Sequence, residues 1–228
     1  MINTLSIDEL RDRFRLQVPG QPRERDLAAF LFGPKTAARG VLVEWLVREE
    51  GAGADLLALA AGIARCRLGR ALVVVDVQRA FFPPEAARLG MAPESIVIVQ
   101  PRTHEDAVWA VDQSLRHSEV GAVLAWVGPF MNRLDSKTLR RWRLAVEQSG
   151  ASGLFVSSER ERPRGTFADV RLLVEPVPCA ARNRRRWRIT PLYQRGGRPG
   201  EPVELEWNDE THLVRPISEL ADPAPAAC

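Results

Sequence analysis

Lysine is nearly missing from this chain of 228 residues. Only Lys35 and Lys137 stand among its 32 basic residues, and the rest are arginine. Such a bias partly follows genome composition, so it does not by itself point to nucleic acid. Cysteine is scarce as well. Cys66, Cys179 and Cys228 lie far apart with no C-x-x-C spacing, which excludes a disulfide framework and a zinc ribbon. The three histidines, His104, His117 and His212, are scattered, so no metal site is expected. No apolar run approaches the roughly 18 residues of a membrane-spanning helix. No charged-then-apolar leader opens the sequence, and the expectation is a cytoplasmic protein with no membrane partner.

What is present is ordinary for a globular protein. A hydrophobic content of 45% supplies a full core, and 27% charged residues argue against wholesale disorder. The length fits one large α/β domain or a domain with small appendages. Charge is distributed unevenly. Residues 182–198 hold seven arginines and no acid, whereas residues 201–222 hold seven acids and one arginine. This predicts either a basic face beside an acidic strip or two sides of one hairpin that neutralise each other.

The stretch Gly40–Gln78 organises the chain. Gly40–Trp45 is a short apolar strand, followed by a turn containing Gly51 and Gly53 and a helix over Leu56–Cys66. Ala71–Asp76 is a continuous apolar run ending in a carboxylate, as in a parallel strand buried on both faces. The glycine turn enters its helix where a phosphate-binding loop would sit. The chemistry of such a loop, G-x-x-x-x-G-K-[ST], is missing, because Gly53 is followed by Ala54 and Asp55. Gly51 and Gly53 still offer backbone N–H groups to an anion, but Glu49, Glu50 and Asp55 oppose one. Asp76 is expected to cap a helix or to order its own loop.

The alternation continues with a helix at Pro83–Leu89, a strand at Ile96–Val99, a Thr103-capped helix to about Arg116 and a strand at Ala122–Val127. Asp135–Ser149 is an amphipathic helix closed by Gly150, and Gly153–Ser157 is a further strand. Strands then follow one another at Ala168–Glu175, Arg186–Tyr193, Val203–Trp207 and His212–Ile217, with a turn signal at Arg195–Gly200. The pattern predicts a mostly parallel sheet flanked by helices that finishes antiparallel. Four segments are expected. Residues 1–39 form a helical appendage, with helices at Ile7–Gln17 and about Arg23–Phe32, and 40–175 form the α/β core. Residues 176–220 extend the sheet as a hairpin, and 221–228 form a disordered tail.

These residues resemble the RecA-like, P-loop-type fold over about Gly40–Glu175. Gly40–Glu44 resembles the strand before the P-loop in RecA. Asp76–Ala80, with Pro83 and Ala87-Arg88-Leu89-Gly90, resembles the next strand and its helix. Ile96–Val99 followed by Gln100-Pro101 and Glu105 resembles a further RecA stretch. On this resemblance the P-loop Lys and Thr fall on Ala54 and Asp55 when one inserted residue is allowed. The water-activating glutamate falls on Gln78 and the Walker B aspartate on Trp126. Degenerate motifs of this kind imply a non-enzymatic protein with no cofactor and no metal, since phosphoryl transfer depends on those groups.

A RecA-like chain of this length with an Arg184–Ile189 basic strand and an Arg195–Gly200 hairpin resembles the ImuA family, accessory proteins of a bacterial mutagenic translesion system. The resemblance implies an SOS-type DNA-damage-tolerance role. Its partners would be an ImuB-like homologue of Y-family polymerases and an error-prone replicative-type polymerase, with RecA and single-stranded DNA as further candidates. A SulA-like division inhibitor and a divergent RecA-like DNA-dependent ATPase are the alternatives. The expected contacts for DNA or a partner are Arg182, Arg184, Arg185, Arg186, Trp187 and Arg188, because basic charge interleaved with an aromatic suits a single strand. A strand held in a sheet would show only alternate residues of that set on one face. Two loops are further candidates: Gly128–Leu134, with Phe130, Met131 and Arg133, and Ser158–Phe167, where arginine and glutamate alternate.

Overall fold

A computed structural model describes residues 39–49, 51–66, 69–126, 134–161, 166, 168–211 and 213–217. The expected helices before residue 39, nearly all of the loop Gly128–Leu134, Arg162, Arg164 and the tail lie outside these residues. The described elements follow the predicted order. They are β1 (Leu42–Val47), α1 (Ala54–Arg65), β2 (Ala71–Val75), α2 (Pro83–Arg88), β3 (Ile96–Val99), α3 (His104–Leu115), β4 (Val120–Trp126) and α4 (Ser136–Ser149). Then come β5 (Ser152–Ser158), β6 (Val170–Val177), β7 (Arg184–Gln194), β8 (Val203–Asn208) and β9 (Leu213–Pro216).

Among the described residues the strands form one sheet in the order β3-β2-β4-β5-β1-β6-β7-β8-β9. Every pairing from β3 across to β6 is parallel, and β6–β7, β7–β8 and β8–β9 are antiparallel. The chain therefore has a mostly parallel α/β core with an antiparallel extension. The expected boundary at residue 175 falls inside β6, which continues to Val177 and pairs there with Arg186 of β7.

The reason for each element is local. Thr103 caps α3 by accepting from the Asp106 N–H at 3.1 Å, and Asp135 caps α4 by accepting from the Thr138 N–H at 2.7 Å. Gly150 ends α4 in the left-handed conformation at φ 72°, its N–H bonded to the Val146 carbonyl at 3.0 Å. Two cores lie on opposite sheet faces. One joins α1 to Val43, Trp45, Val74 and Leu124 and continues to Trp187, Leu205 and Trp207. The other joins α3 and α4 to Leu42, Val73, Val123 and Phe155. Trp142 of α4 stacks on Phe155 there, with ring centroids 5.2 Å apart.

The hairpin after β7 is looser than the turn signal predicts. Pairing of β7 with β8 ends at Ile189–Val203, and β7 runs on along β6 alone to Gln194.

Candidate functional site

In an open parallel sheet the place for a ligand is the crevice at the carboxyl ends of the strands, where connections leave in opposite directions. Here β1 leads through α1 toward β2 on one side, and β6 lies on its other side. The turn between β1 and α1 is built by Gly51 at φ 76° and Gly53 at φ 83°, both in the left-handed region that glycine alone enters easily. Gly53 is also the N-cap of α1, which has no side-chain cap. A Cβ on Gly53 would lie 2.5 Å from Trp187 Nε1 and 2.7 Å from Cε2 of the same ring. The indole of β7 is thus pressed onto the backbone of the turn. Ala54 is buried, and Asp55 stands exposed beside it.

Residues after β1 and β2, at the end of β4 and on α1 meet around a cavity of about 300 Å³. Leu56, Leu59, Leu124, Trp126 and Phe81 give it apolar walls, and Asp55, Glu85 and Arg185 supply its charged lining. Phe81 and Trp126 lie against each other with ring centroids 6.4 Å apart. Asp76, 1% exposed, does not reach for a ligand. Its carboxylate accepts from the N–H groups of Ala80 and Phe81, both at 3.0 Å, and so folds the β2–α2 turn back on itself. Arg79 in that turn has φ 56°, strain that the two bonds hold in place. The loop-ordering role expected of Asp76 is the one it has. Gln78 is exposed in the same turn.

The basic cluster divides by strand parity. Arg185, Trp187 and Ile189 share the α1 face, and Arg184, Arg186 and Arg188 share the other. Trp187 is 3% exposed and belongs to the core. This corrects its expected place in a nucleic-acid surface: on a two-residue period, a strand with one buried face cannot present every member of an R-R-R-W-R run to solvent. The arginines face carboxylates of β8 and its turn. Arg184 Nη1 lies 2.8 Å from Glu206 Oε1, Arg186 Nη2 2.9 Å from Glu206 Oε2, and Arg188 Nη2 2.7 Å from Glu204 Oε1. Arg185 pairs with Asp209, and Arg182 is exposed on the preceding turn. The basic and acidic runs are thus two neighbouring strands of one sheet, joined by cross-strand ion pairs.

Several residues here carry no signal that the sequence reading used. Arg48 ties three strand ends together, reaching Glu159 at 2.9 Å and Glu175 at 2.7 Å, and the hydrogen bond to Glu159 raises its already high pKa. Glu44 of β1 and Arg171 of β6 form a buried ion pair, and the Thr166 hydroxyl donates to Glu44 at 2.9 Å. Phe81, Phe82 and Glu85 line the cavity through a turn whose apolar pair precedes Pro83; that Phe-Phe-Pro-Pro run was the available clue. Among the described residues no group of three or more His, Cys, Asp and Glu is placed to hold a metal ion, and no helix is long and apolar enough to cross a membrane.

No protein-family model matches the chain. Curated relatives do. RecA of Chlorobium limicola is 25% identical over 182 residues, covering 71% of this chain and 46% of that protein. RecA of Acidothermus cellulolyticus is 27% identical over 143 residues, covering 54% of this chain and 41% of that protein. RecA of Mycobacterium leprae is 27% identical over 143 residues, covering 54% of this chain and 20% of that protein. The chain spans less than half the length of each of these relatives. The similarity supports a RecA-like relationship and a RecA-like core.

Proposed function

We propose that this RecA-like chain is a non-catalytic accessory protein of DNA-damage tolerance, which acts by binding other proteins rather than by turning over ATP. The observation that carries the reading is the make-up of the crevice. Where RecA resemblance places a phosphate-binding lysine, a metal-holding hydroxyl, a water-activating glutamate and a Walker B aspartate, this chain has Ala54, Asp55, Gln78 and Trp126. Phosphoryl transfer is achieved by positioning and charge stabilisation, so losing all four groups removes the reaction rather than slowing it. Asp55 and Glu85 add negative charge where triphosphate would need positive.

An ImuA-type role in error-prone translesion synthesis is the finer form of this proposal. Its partners would be an ImuB-like Y-family polymerase homologue and an error-prone replicative-type polymerase, with RecA a further candidate. The long basic β7 supports it over a SulA-like division inhibitor, which shares the RecA-like core. Arg182, Arg184, Arg185, Arg186 and Arg188 are proposed to meet an anionic partner. Exposed ion pairs are worth only about 0–1 kcal/mol each, so a run of phosphates or an acidic segment can displace Glu204 and Glu206.

The test is direct. The purified chain, with and without single-stranded DNA, is assayed for ATP turnover and for MgATP binding by calorimetry. No turnover above the buffer blank and no heat of binding are expected. DNA-stimulated hydrolysis that disappears when Gly53 and Asp55 are replaced would overturn the proposal in favour of a divergent ATPase. The finer form is tested by whether a Y-family-like polymerase gene lies beside this one and whether its product co-purifies with the chain.

A further inference from the structure

We propose that the cavity between the β1–α1 turn, the β2–α2 turn and β4 is a docking socket for a partner protein's segment in which a large apolar side chain neighbours a lysine or arginine. The inference deepens the reading of a nucleotide-free adaptor and rests on it.

Size comes first. At about 300 Å³ the space stands at the lower end of small-ligand pockets, which run about 300–1,000 Å³. It suits one or two side chains. Its floor is made of Leu56, Leu59, Leu124 and Trp126, so burying an apolar anchor there is favourable. Phe82 stands at the rim with 58% of its surface exposed, and a docked chain would cover it.

Charge decides what accompanies the anchor. Among the described residues three charged side chains line the cavity. Arg185 is held by Asp209, and Glu85 by Arg88 at 3.2 Å. Asp55 alone of the three has no ion-pair or hydrogen-bond partner among the described residues, and it is exposed at the mouth. Among the described residues the uncompensated charge of the socket is therefore negative. A phosphate is repelled there, and a cation beside the anchor finds a carboxylate. Trp126 and Phe81 line the same space, and an aromatic ring attracts a guanidinium.

The socket is also preformed. Asp76 fixes the β2–α2 turn through two backbone hydrogen bonds, and Trp187 fixes the β1–α1 turn from below. Little ordering free energy is then lost on docking, which is what lets a small contact area bind measurably.

The test uses the full ¹⁵N-labelled chain and three blocked pentapeptides, Ala-Leu-Trp-Arg-Ala, Ala-Leu-Trp-Glu-Ala and Ala-Ser-Ser-Arg-Ala, titrated by NMR. The first is expected to shift the amides of Gly51, Gly53, Asp55 and Phe82 in a saturable way. The other two are expected to bind at least tenfold more weakly. An Asp55→Lys variant, checked for an unchanged melting temperature, should lose the arginine peptide and gain the glutamate peptide. A Phe82→Ser variant, which leaves the charge untouched, should weaken every peptide that carries tryptophan. Equal binding of the arginine and glutamate peptides, or shifts that ignore these variants, would overturn the socket's charge selectivity. No shift with any peptide and none with MgATP would overturn the socket while leaving the nucleotide-free reading intact. Saturable shifts of the same amides by MgATP would overturn both.

Discussion

At Gly53 two constraints meet, a backbone in the left-handed region and an indole against the Cα. A Gly53→Ala substitution meets both at once. The left-handed conformation alone costs an L-residue roughly 1–2 kcal/mol, and displacing the Trp187 ring adds to that. A loss of at least about 2 kcal/mol is expected from urea unfolding, whereas Gly51→Ala, which has open space around its Cβ, should lose only the conformational part. Cys66 behaves as a core residue. Burial pushes its thiol from 9.0 up to about 11, and its Sγ donates to the Gly62 carbonyl oxygen 3.3 Å away. The unfolded chain ionises this thiol before the folded chain does, so folded stability falls as pH rises through that window. The Cys66→Ala variant should therefore lose less stability than the parent between pH 9 and 11, read as the shift in urea midpoint.

Among the elements, α4 shows how far one cap reaches. The Thr138 hydroxyl and N–H hold the Asp135 carboxyl below its ordinary value of 3.8. A depressed carboxylate contributes stability above its unfolded pKa and loses it as pH falls through the folded value. Asp135→Ala should thus lower the melting temperature at pH 7, and the difference from the parent should vanish as pH drops well below 3.8. In β7 the relevant variant is Arg184, Arg185, Arg186 and Arg188 all to alanine. Its expected behaviour is weaker binding to single-stranded DNA with a shallower salt dependence, because each neutralised phosphate releases condensed counterion. Unchanged affinity for DNA and for an ImuB-like polymerase homologue, the proposed partner, would assign the four residues to the hairpin alone. The strand itself was legible from Arg186-Trp187-Arg188-Ile189, but which side chains faced inward was not. Parity depends on the pairing of Trp187 with Pro176 and Leu205, and that is a long-range fact.

Across the whole molecule, the apolar runs and caps were enough to place each described strand and α-helix, because Ala71–Val75, Thr103, Asp135 and Gly150 are local signals read without knowing the fold. The cavity was not legible in the same way. Its walls come from two turns, α1, β4 and β7, and nothing in Phe81, Leu59 or Arg185 taken singly announces that they converge. The sheet order carries a consequence for synthesis. β1 is the earliest described strand to leave the ribosome, yet both of its neighbours come late: Leu42 pairs with Gly153 and Val43 with Val170. Until β5 and β6 have emerged, Leu42–Val47 has no strand to bond on either side, and its turn waits longer still for Trp187. The nascent chain must therefore carry a buried strand unzipped while β2, β3 and β4 are made, and the crevice closes only when β7 arrives.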